Sequence, residues 1–494
     1  MKHHILCLTI SVLVILVFGC EHQPTQPTVQ DEPQSPVQFQ YADHYIVQYN
    51  NPIQTVKVKN LVLAKGGEIY SEWDEFGFTV VRRITEEDAA ALQKIAGVKS
   101  VTRDIIVRWI PEPGDIANDR VQKLAEPEAA AHDSSGGFDT YQWNMRQIGA
   151  DKTWDAGYNG DGALVAILDT GINPEHVEMA GRVDLDLSRT FVTSSPYPPD
   201  LTSFDDFHFH GTHVAGIISA NGIVTAGVAP HATLVAVKVL NAYGSGSFRD
   251  LISGILYATE IGVDVINLSL GAYVPNTDGF QPLVEVLSTV VKIAMEAGVY
   301  VVAAAGNDAR ELLKDGDLLF MPAQADERIA VISATAPINQ TDFDRLASYS
   351  NFGGEVISVA APGGDFLGIL ADRIVSPCSP SSIHIPDCQT GNDWYFWAEG
   401  TSQAAPHVSG AAALLDARFG GELKGEEIRG LIERAADNLG NPSAHGSGRL
   451  DVFEAVVNAF QDPVGDEQQQ DEQQQDEQQQ DEQQQDEQQQ DEQQ

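Results

Sequence analysis

The chain has 494 residues and is 43% hydrophobic, enough for an ordinary core and too long for one typical domain. Its 71 Asp and Glu stand against 29 Lys and Arg, a formal charge of −42. That balance excludes a phosphate-backbone binder, which needs a basic footprint, so no nucleic-acid partner is expected. Twelve of the carboxylates lie in the last 29 residues, and the remainder still carries −30. Such a charge favours solubility and repulsion from anionic surfaces.

Residues 1–19 read as a targeting segment. Lys2 supplies a positive start, and Ile5 to Phe18 runs 14 residues without a charge. That is short for a bilayer span and suits a signal peptide. The run closes on Val17-Phe18-Gly19-Cys20, which resembles a bacterial lipobox. The resemblance implies cleavage before Cys20, a lipid on its thiol, and membrane attachment through that anchor before processing. Plain secretion is the alternative. Residues 20–40 are rich in Gln, Pro, Thr and Glu and read as a tether.

Residues 41–110 form a small α+β unit. Tyr45 to Tyr49 and Phe76 to Val81 read as strands, and Val56 to Ala64 as a helix or a further strand. Thr85-Glu86-Glu87-Asp88 is a helix start, with Thr85 placed to accept from the Asp88 N–H. Gly97 ends that helix, and Val98 to Val107 returns as extended chain. Residues 111–138, rich in Pro, Ala, Glu, Asp and Gly, make a linker that a protease could cut.

From residue 139 to 462 apolar runs alternate with helical patterns. Ala163 to Leu168, Thr233 to Leu240, Val263 to Leu270, Val299 to Ala305 and Ile329 to Ala334 are nearly unbroken apolar runs. Such strands are buried on both faces, as in a parallel sheet with helices on each side. Cys378 and Cys388 are the only cysteines of this part. In an exported chain an even pair predicts a disulfide, with two reduced thiols as the alternative. Residues 463–494 form an acidic tail that repeats DEQQQ from Asp466. Each repeat turns a helix by about 140° net, so no apolar stripe forms, and the tail reads as disordered.

Four segments carry chemistry, and each lies where a strand ends, the place at which such sheets bind ligands. Asp169 follows Ala163 to Leu168 in Leu168-Asp169-Thr170-Gly171. An aspartic protease would need a second such carboxylate, and no second Asp-Thr-Gly or Asp-Ser-Gly occurs. His210-Gly211-Thr212-His213 lacks the spacing and the Glu of a helical zinc site. Ser402, in Gly400-Thr401-Ser402-Gln403, opens an Ala-rich helix, where free N–H groups can receive an oxyanion. Asn307 closes Ala303-Ala304-Ala305-Gly306-Asn307 and offers an amide donor to the same oxyanion.

Together these segments resemble the subtilisin-like serine peptidase family, whose triad runs Asp, His, Ser along the chain. The resemblance spans roughly Gln142 to Phe460. It implies an α/β fold with a doubly wound, mostly parallel sheet. It also implies that the small α+β unit, ferredoxin-like in this family, is an inhibitory propeptide. Asp169, His210 and Ser402 would be the triad, Asn307 the oxyanion donor, and protein or peptide the substrate. Gly244-Ser245-Gly246 and Ser269-Leu270-Gly271 match the two segments that flank a bound peptide. No cofactor is required for the chemistry. The family often binds calcium after the His helix; here Ser219 to Gly227 has no carboxylate, so a structural calcium, with Asn221 as a ligand, is left open. Many members have Met after the Ser. Gln403 stands here, and since Gln has no thioether to oxidise, peroxide is expected to inactivate wild type more slowly than Gln403→Met.

The reading is an exported serine endopeptidase made as a self-processed zymogen. A transpeptidase or cyclase on the same scaffold is the runner-up, separable by the mass of its products. A catalytically silent binding protein is the rival from another class, separable by a fluorophosphonate probe.

Overall fold

The computed structural model describes residues 39–50, 55–110, 120–124, 141–313 and 316–458. The signal segment with Cys20, most of the tether and linker, and the DEQQQ tail lie outside the described residues.

The N-terminal part runs β1 (Phe39–Tyr49), α1 (Thr55–Ala64), β2 (Glu68–Trp73), β3 (Phe78–Arg82), α2 (Glu86–Leu92) and β4 (Val98–Arg108). Thr85 caps α2 in a reciprocal box with Asp88, an arrangement that contributes about 1 kcal/mol. In α1 the buried residues are Thr55, Val58 and Val62, one face at helical spacing. The antiparallel sheet has the order β2-β3-β1-β4-β9, and β9 (Ser245–Ser247) comes from the large part. The two parts therefore share a sheet.

Chain order in the large part starts with a short β5 (Val121–Gln122). Then come β6 (Leu164–Asp169), β7 (Arg189–Thr190), α3 (His210–Ser219), β8 (Thr233–Lys238), β9, α4 (Phe248–Glu260), β10 (Val265–Leu268) and β11 (Ala272–Pro275). They are followed by α5 (Gln281–Glu296), β12 (Tyr300–Ala304), β13 (Leu318–Met321), β14 (Ala330–Thr335) and β15 (Val359–Pro362). After them come β16 (Ile374–Pro377), β17 (Tyr395–Ala398) and α6 (Thr401–Arg418). Seven strands make one parallel sheet in the order β15-β14-β12-β10-β6-β8-β7.

The unbroken apolar runs have a direct physical cause. Val165 and Ile167 face one core with Val214 of α3 and Ala411 of α6. Ala166 and Leu168 face the other with Leu251 of α4 and Leu287 of α5. Both faces of each central strand are covered, so no polar alternation survives. The Ala-rich α6 lies almost wholly buried along the sheet, and its small side chains permit that close approach.

Candidate active site

Asp169 is the last residue of β6 and is fully buried. Both of its carboxylate oxygens lie 2.9 Å from His210 Nδ1, and one also accepts from the Thr170 N–H at 2.7 Å. His210 is the first residue of α3. The helix starts hard against the β6 turn: a Cβ on Gly211 would lie 2.0 Å from the Gly171 carbonyl, so only glycine fits there.

Asp206 shapes the approach to His210. One of its oxygens accepts from the N–H groups of His208 and Phe209 at 3.0 Å each and from the Thr170 hydroxyl at 2.9 Å. The other accepts from the Thr212 N–H and hydroxyl at 2.9 and 2.8 Å. The Thr170 hydroxyl in turn accepts from the Gly211 N–H at 2.9 Å. Burial pushes the Asp206 carboxyl up, and the Lys238 ammonium opposes that shift. Lys238, fully buried at the end of β8, pairs with the buried Asp200 at 3.1 Å and donates to the Thr170 carbonyl. Sequence reasoning missed Lys238, Asp200 and Asp206. One signal was available: a lysine standing alone inside the apolar run Thr233 to Leu240.

Ser402 is the second residue of α6 and is partly exposed. Its hydroxyl donates to the Ser269 carbonyl at 3.0 Å, and the Ser269 hydroxyl donates to the Ser402 carbonyl at 2.8 Å. The Thr401 N–H and hydroxyl both reach Asn307 Oδ1 at 2.9 Å. An N–H must meet an acceptor, so the amide oxygen of Asn307 is fixed inward and its NH2 is left for the exposed side.

The segments expected to flank a peptide are brought together around a peptide, and that peptide is this chain. β4 pairs antiparallel with β9, Val107 opposite Gly246 and Arg108 opposite Ser245. Beyond β4, the N–H groups of Trp109 and Ile110 reach the Gly244 carbonyl at 3.0 and 3.3 Å. From the other side the Gly271 N–H donates to the Trp109 carbonyl at 3.0 Å. The Trp109 indole donates to the Gly246 carbonyl at 2.9 Å and packs 5.2 Å from the Phe248 ring, in the same core as Leu270. Cys378 and Cys388 are joined by a disulfide.

The stretch Ser219 to Gly227 does not fit a cation. Calcium needs oxygen ligands, whereas this loop turns N–H groups inward. The N–H groups of Ile223, Val224 and Thr225 donate to the buried Glu178 carboxylate at 3.0, 2.6 and 2.8 Å, and the Tyr395 hydroxyl joins them at 2.9 Å. Asn221 Oδ1 accepts from the Arg182 guanidinium at 2.6 Å. A carboxylate built into the fold thus holds the loop where an ion was left open. With Glu178 in the place of an ion, this loop is expected to add no chelator sensitivity to the melting temperature. Glu178→Ala, which orphans three amides, is expected to cost about 3 kcal/mol or more, read by thermal unfolding; a chelator sensitivity traced to this loop would contradict the first expectation.

Comparisons with known proteins identify the family and the fold. The family model described as the subtilase family matches residues 160–453. A thermophilic serine proteinase of Bacillus sp. strain AK1 is 33% identical over 348 residues, 69% of this chain and 74% of its own. Subtilisin NAT of Bacillus subtilis subsp. natto is 31% identical over 417 residues, 83% of this chain and 90% of its own. Among solved structures, the epidermin leader peptide processing serine protease of Staphylococcus aureus superposes with a TM-score of 0.68 at 23% identity, covering 85% of this chain and 99% of that one. Fervidolysin from Fervidobacterium pennivorans gives 0.65 at 24%, covering 86% and 62%. With a family model over more than half its length and relatives above 30% identity over more than two thirds of it, this chain belongs to the subtilase family of serine peptidases.

Proposed function

We propose that this protein is an exported serine endopeptidase made as a zymogen, with residues 41–110 as its own inhibitory propeptide. The observation that carries the reading is the strand end Ile106 to Ile110, laid between Gly244–Gly246 and Gly271 as a substrate would be in β-augmentation. Export and the lipid anchor on Cys20 rest on the sequence alone; on that reading the anchor holds the precursor at the cell envelope, and cutting in the 111–138 linker frees the enzyme.

The mechanism follows from the groups. The Ser402 hydroxyl turns from the Ser269 carbonyl toward His210, gives its proton to Nε2 and attacks the scissile carbonyl. Asp169 holds Nδ1–H and stabilises the imidazolium. Asn307 Nδ2–H and the Ser402 N–H receive the oxyanion. Collapse expels the amine, which takes the proton from His210, and water repeats the sequence on the acyl-enzyme.

The test is intact mass with N-terminal sequencing of wild type and Ser402→Ala, made without the signal. Wild type cut within residues 111–138 beside an uncut variant supports the reading. Two uncut proteins, with no fluorophosphonate label on wild type, would sink it.

The contact between the parts gives a second expectation. Asp104 of β4 accepts from the Phe248 and Arg249 N–H groups at 3.2 and 2.9 Å, and so caps α4 of the large part. Buried His44 Nε2 lies 2.8 Å from the same Asp104 Oδ2 that accepts from Arg249. Charge-assisted bonds of this kind contribute about 1.5–3 kcal/mol. Asp104→Ala is therefore expected to weaken inhibition by the cleaved N-terminal part about 10- to 100-fold, measured as its inhibition constant. An unchanged constant would deny the cap any part in holding the two together.

A further inference from the structure

Three consecutive peptide carbonyls stand immediately before Phe209 and His210, and none is satisfied by the helix or the sheet. The Asp206 carbonyl accepts from the Ser379 hydroxyl at 2.5 Å. The Phe207 carbonyl accepts from the Ile383 N–H at 2.9 Å. The His208 carbonyl accepts from the Ser382 hydroxyl. Asp206, His208, Ser379 and Ser382 are all at most 1% exposed, so these bonds have no ready replacement from water. All three donors lie in one loop, and the Cys378–Cys388 disulfide closes that loop.

The same loop reaches the cleft wall. The His384 ring lies 5.2 Å from the His208 ring and 5.6 Å from that of Tyr243, and its Nε2 contacts the Ala242 carbonyl at 2.5 Å. Both cysteines pack in one apolar cluster with Phe209. Phe209 carries a φ of 144°, a conformation that a bulky L-residue leaves unless its surroundings hold it. Release of that residue would turn the first peptide of α3, and His210 is the side chain on that turn.

We propose that the disulfide-closed loop Cys378–Cys388 is a positioning clamp for the catalytic histidine, with Ser379, Ser382 and Ile383 as its grips. The proposal rests on His210 being the general base. The loop's three grips all act on the segment before His210, while it meets the peptide-binding side only through the His384 ring at Ala242 and Tyr243, so the loss falls mainly on the chemical step. A misplacement of about 1 Å at a reacting group costs on the order of 10- to 100-fold.

The experiment compares wild type, the double variant Cys378→Ser with Cys388→Ser, and the pair Ser379→Ala with Ser382→Ala, which keeps the disulfide. Each is assayed on a peptide p-nitroanilide for kcat, KM and the pH profile of kcat, at a temperature where circular dichroism shows it folded. We expect kcat to fall about 10-fold or more in both variants, with KM within about two-fold and the acid limb of the profile displaced. A lower melting temperature with kcat and profile unchanged would overturn the clamp. If the cysteine variant does not fold, the serine pair decides alone, and wild-type kcat in it overturns the proposal. A wild type that takes no fluorophosphonate at Ser402 would instead sink the reading on which the clamp rests.

Discussion

Ser402→Ala is expected to lower turnover of a chromogenic peptide by about 10⁶-fold, the size this loss has in subtilisin itself. Asp169→Asn is expected to cost about 10⁴-fold, because both Asp169 oxygens address His210 Nδ1 and an amide would present the wrong group on one side. Joining the two changes should cost no more than Ser402→Ala alone, since residues of one proton-transfer chain fail together. Asn307→Ala is a separate loss. The Asn307 oxygen is anchored by Thr401, so its NH2 is preset before charge develops, and removing it should cost about 10²–10³-fold, or ~3–4 kcal/mol. The measurement is kcat on the purified catalytic part freed of residues 41–110, with concentration taken from absorbance so that the Ser402→Ala protein is counted as the others are. A Ser402→Ala protein retaining a hundredth of wild-type turnover would remove Ser402 from the chemistry. An Asn307→Ala protein at wild-type rate would place the oxyanion elsewhere.

The central strands were legible because burial on both faces writes an unbroken apolar run, and each expected strand lies within a residue or two of an observed one. The helix start at Thr85 was legible because a capping box is a local device. α1 was ambiguous for a physical reason: Val56-Lys57-Val58-Lys59 alternates as a strand would, and only burial of Thr55, Val58 and Val62 selects the helix. β2 was missed because Glu68–Trp73 is half-exposed along its length and carries no clear period. In the candidate site, Asp169, His210, Ser402 and Asn307 stood out through their immediate flanks. What sequence did not reveal is the support made by residues far apart in the chain. Lys238 reaches back to Thr170 and Asp200, the Cys378–Cys388 loop to the carbonyls before His210, and β4 pairs with β9, which follows it by more than a hundred residues. Pairings over such separations leave no periodicity in either partner.

Stability is expected to fall as the pH drops below about 6.5, the ordinary histidine value, and the cause is a set of histidines held neutral. Burial pushes His213 down to about 3 and both His176 and His407 down to about 4. The bonding explains why they stay neutral. In His407, Nδ1 donates to the Gln403 carbonyl at 2.8 Å while Nε2 accepts from the Asn144 amide at 2.7 Å. In His176, Nε2 donates to the Trp394 carbonyl at 2.9 Å while Nδ1 accepts from the Glu178 N–H at 3.2 Å. A second ring proton would face a donor in each. Below pH 6.5 the unfolded chain takes up protons that the folded chain refuses, so each group removes up to ~1.4 kcal/mol per pH unit until its folded value is reached. Three such groups remove about 4 kcal/mol per pH unit. His208, pushed down by burial, acts in the same sense. Asp416 opposes them: burial, and then the neighbouring Asp264 charge, push it up to about 7. It binds its proton in the fold first and offsets roughly one histidine, which leaves about 3 kcal/mol per pH unit from the other rings before His208 is added. Glu178, Asp206 and Asp250, also pushed up by burial, act in the same opposing sense. Urea unfolding of Ser402→Ala, which cannot digest itself, between pH 8 and pH 5 measures the slope. His407→Gln, unable to take the proton, should shed about one proton from it. A stability flat from pH 7.5 to 5 would overturn the expected net sign, and a slope untouched by His407→Gln would show that this ring is charged in the fold.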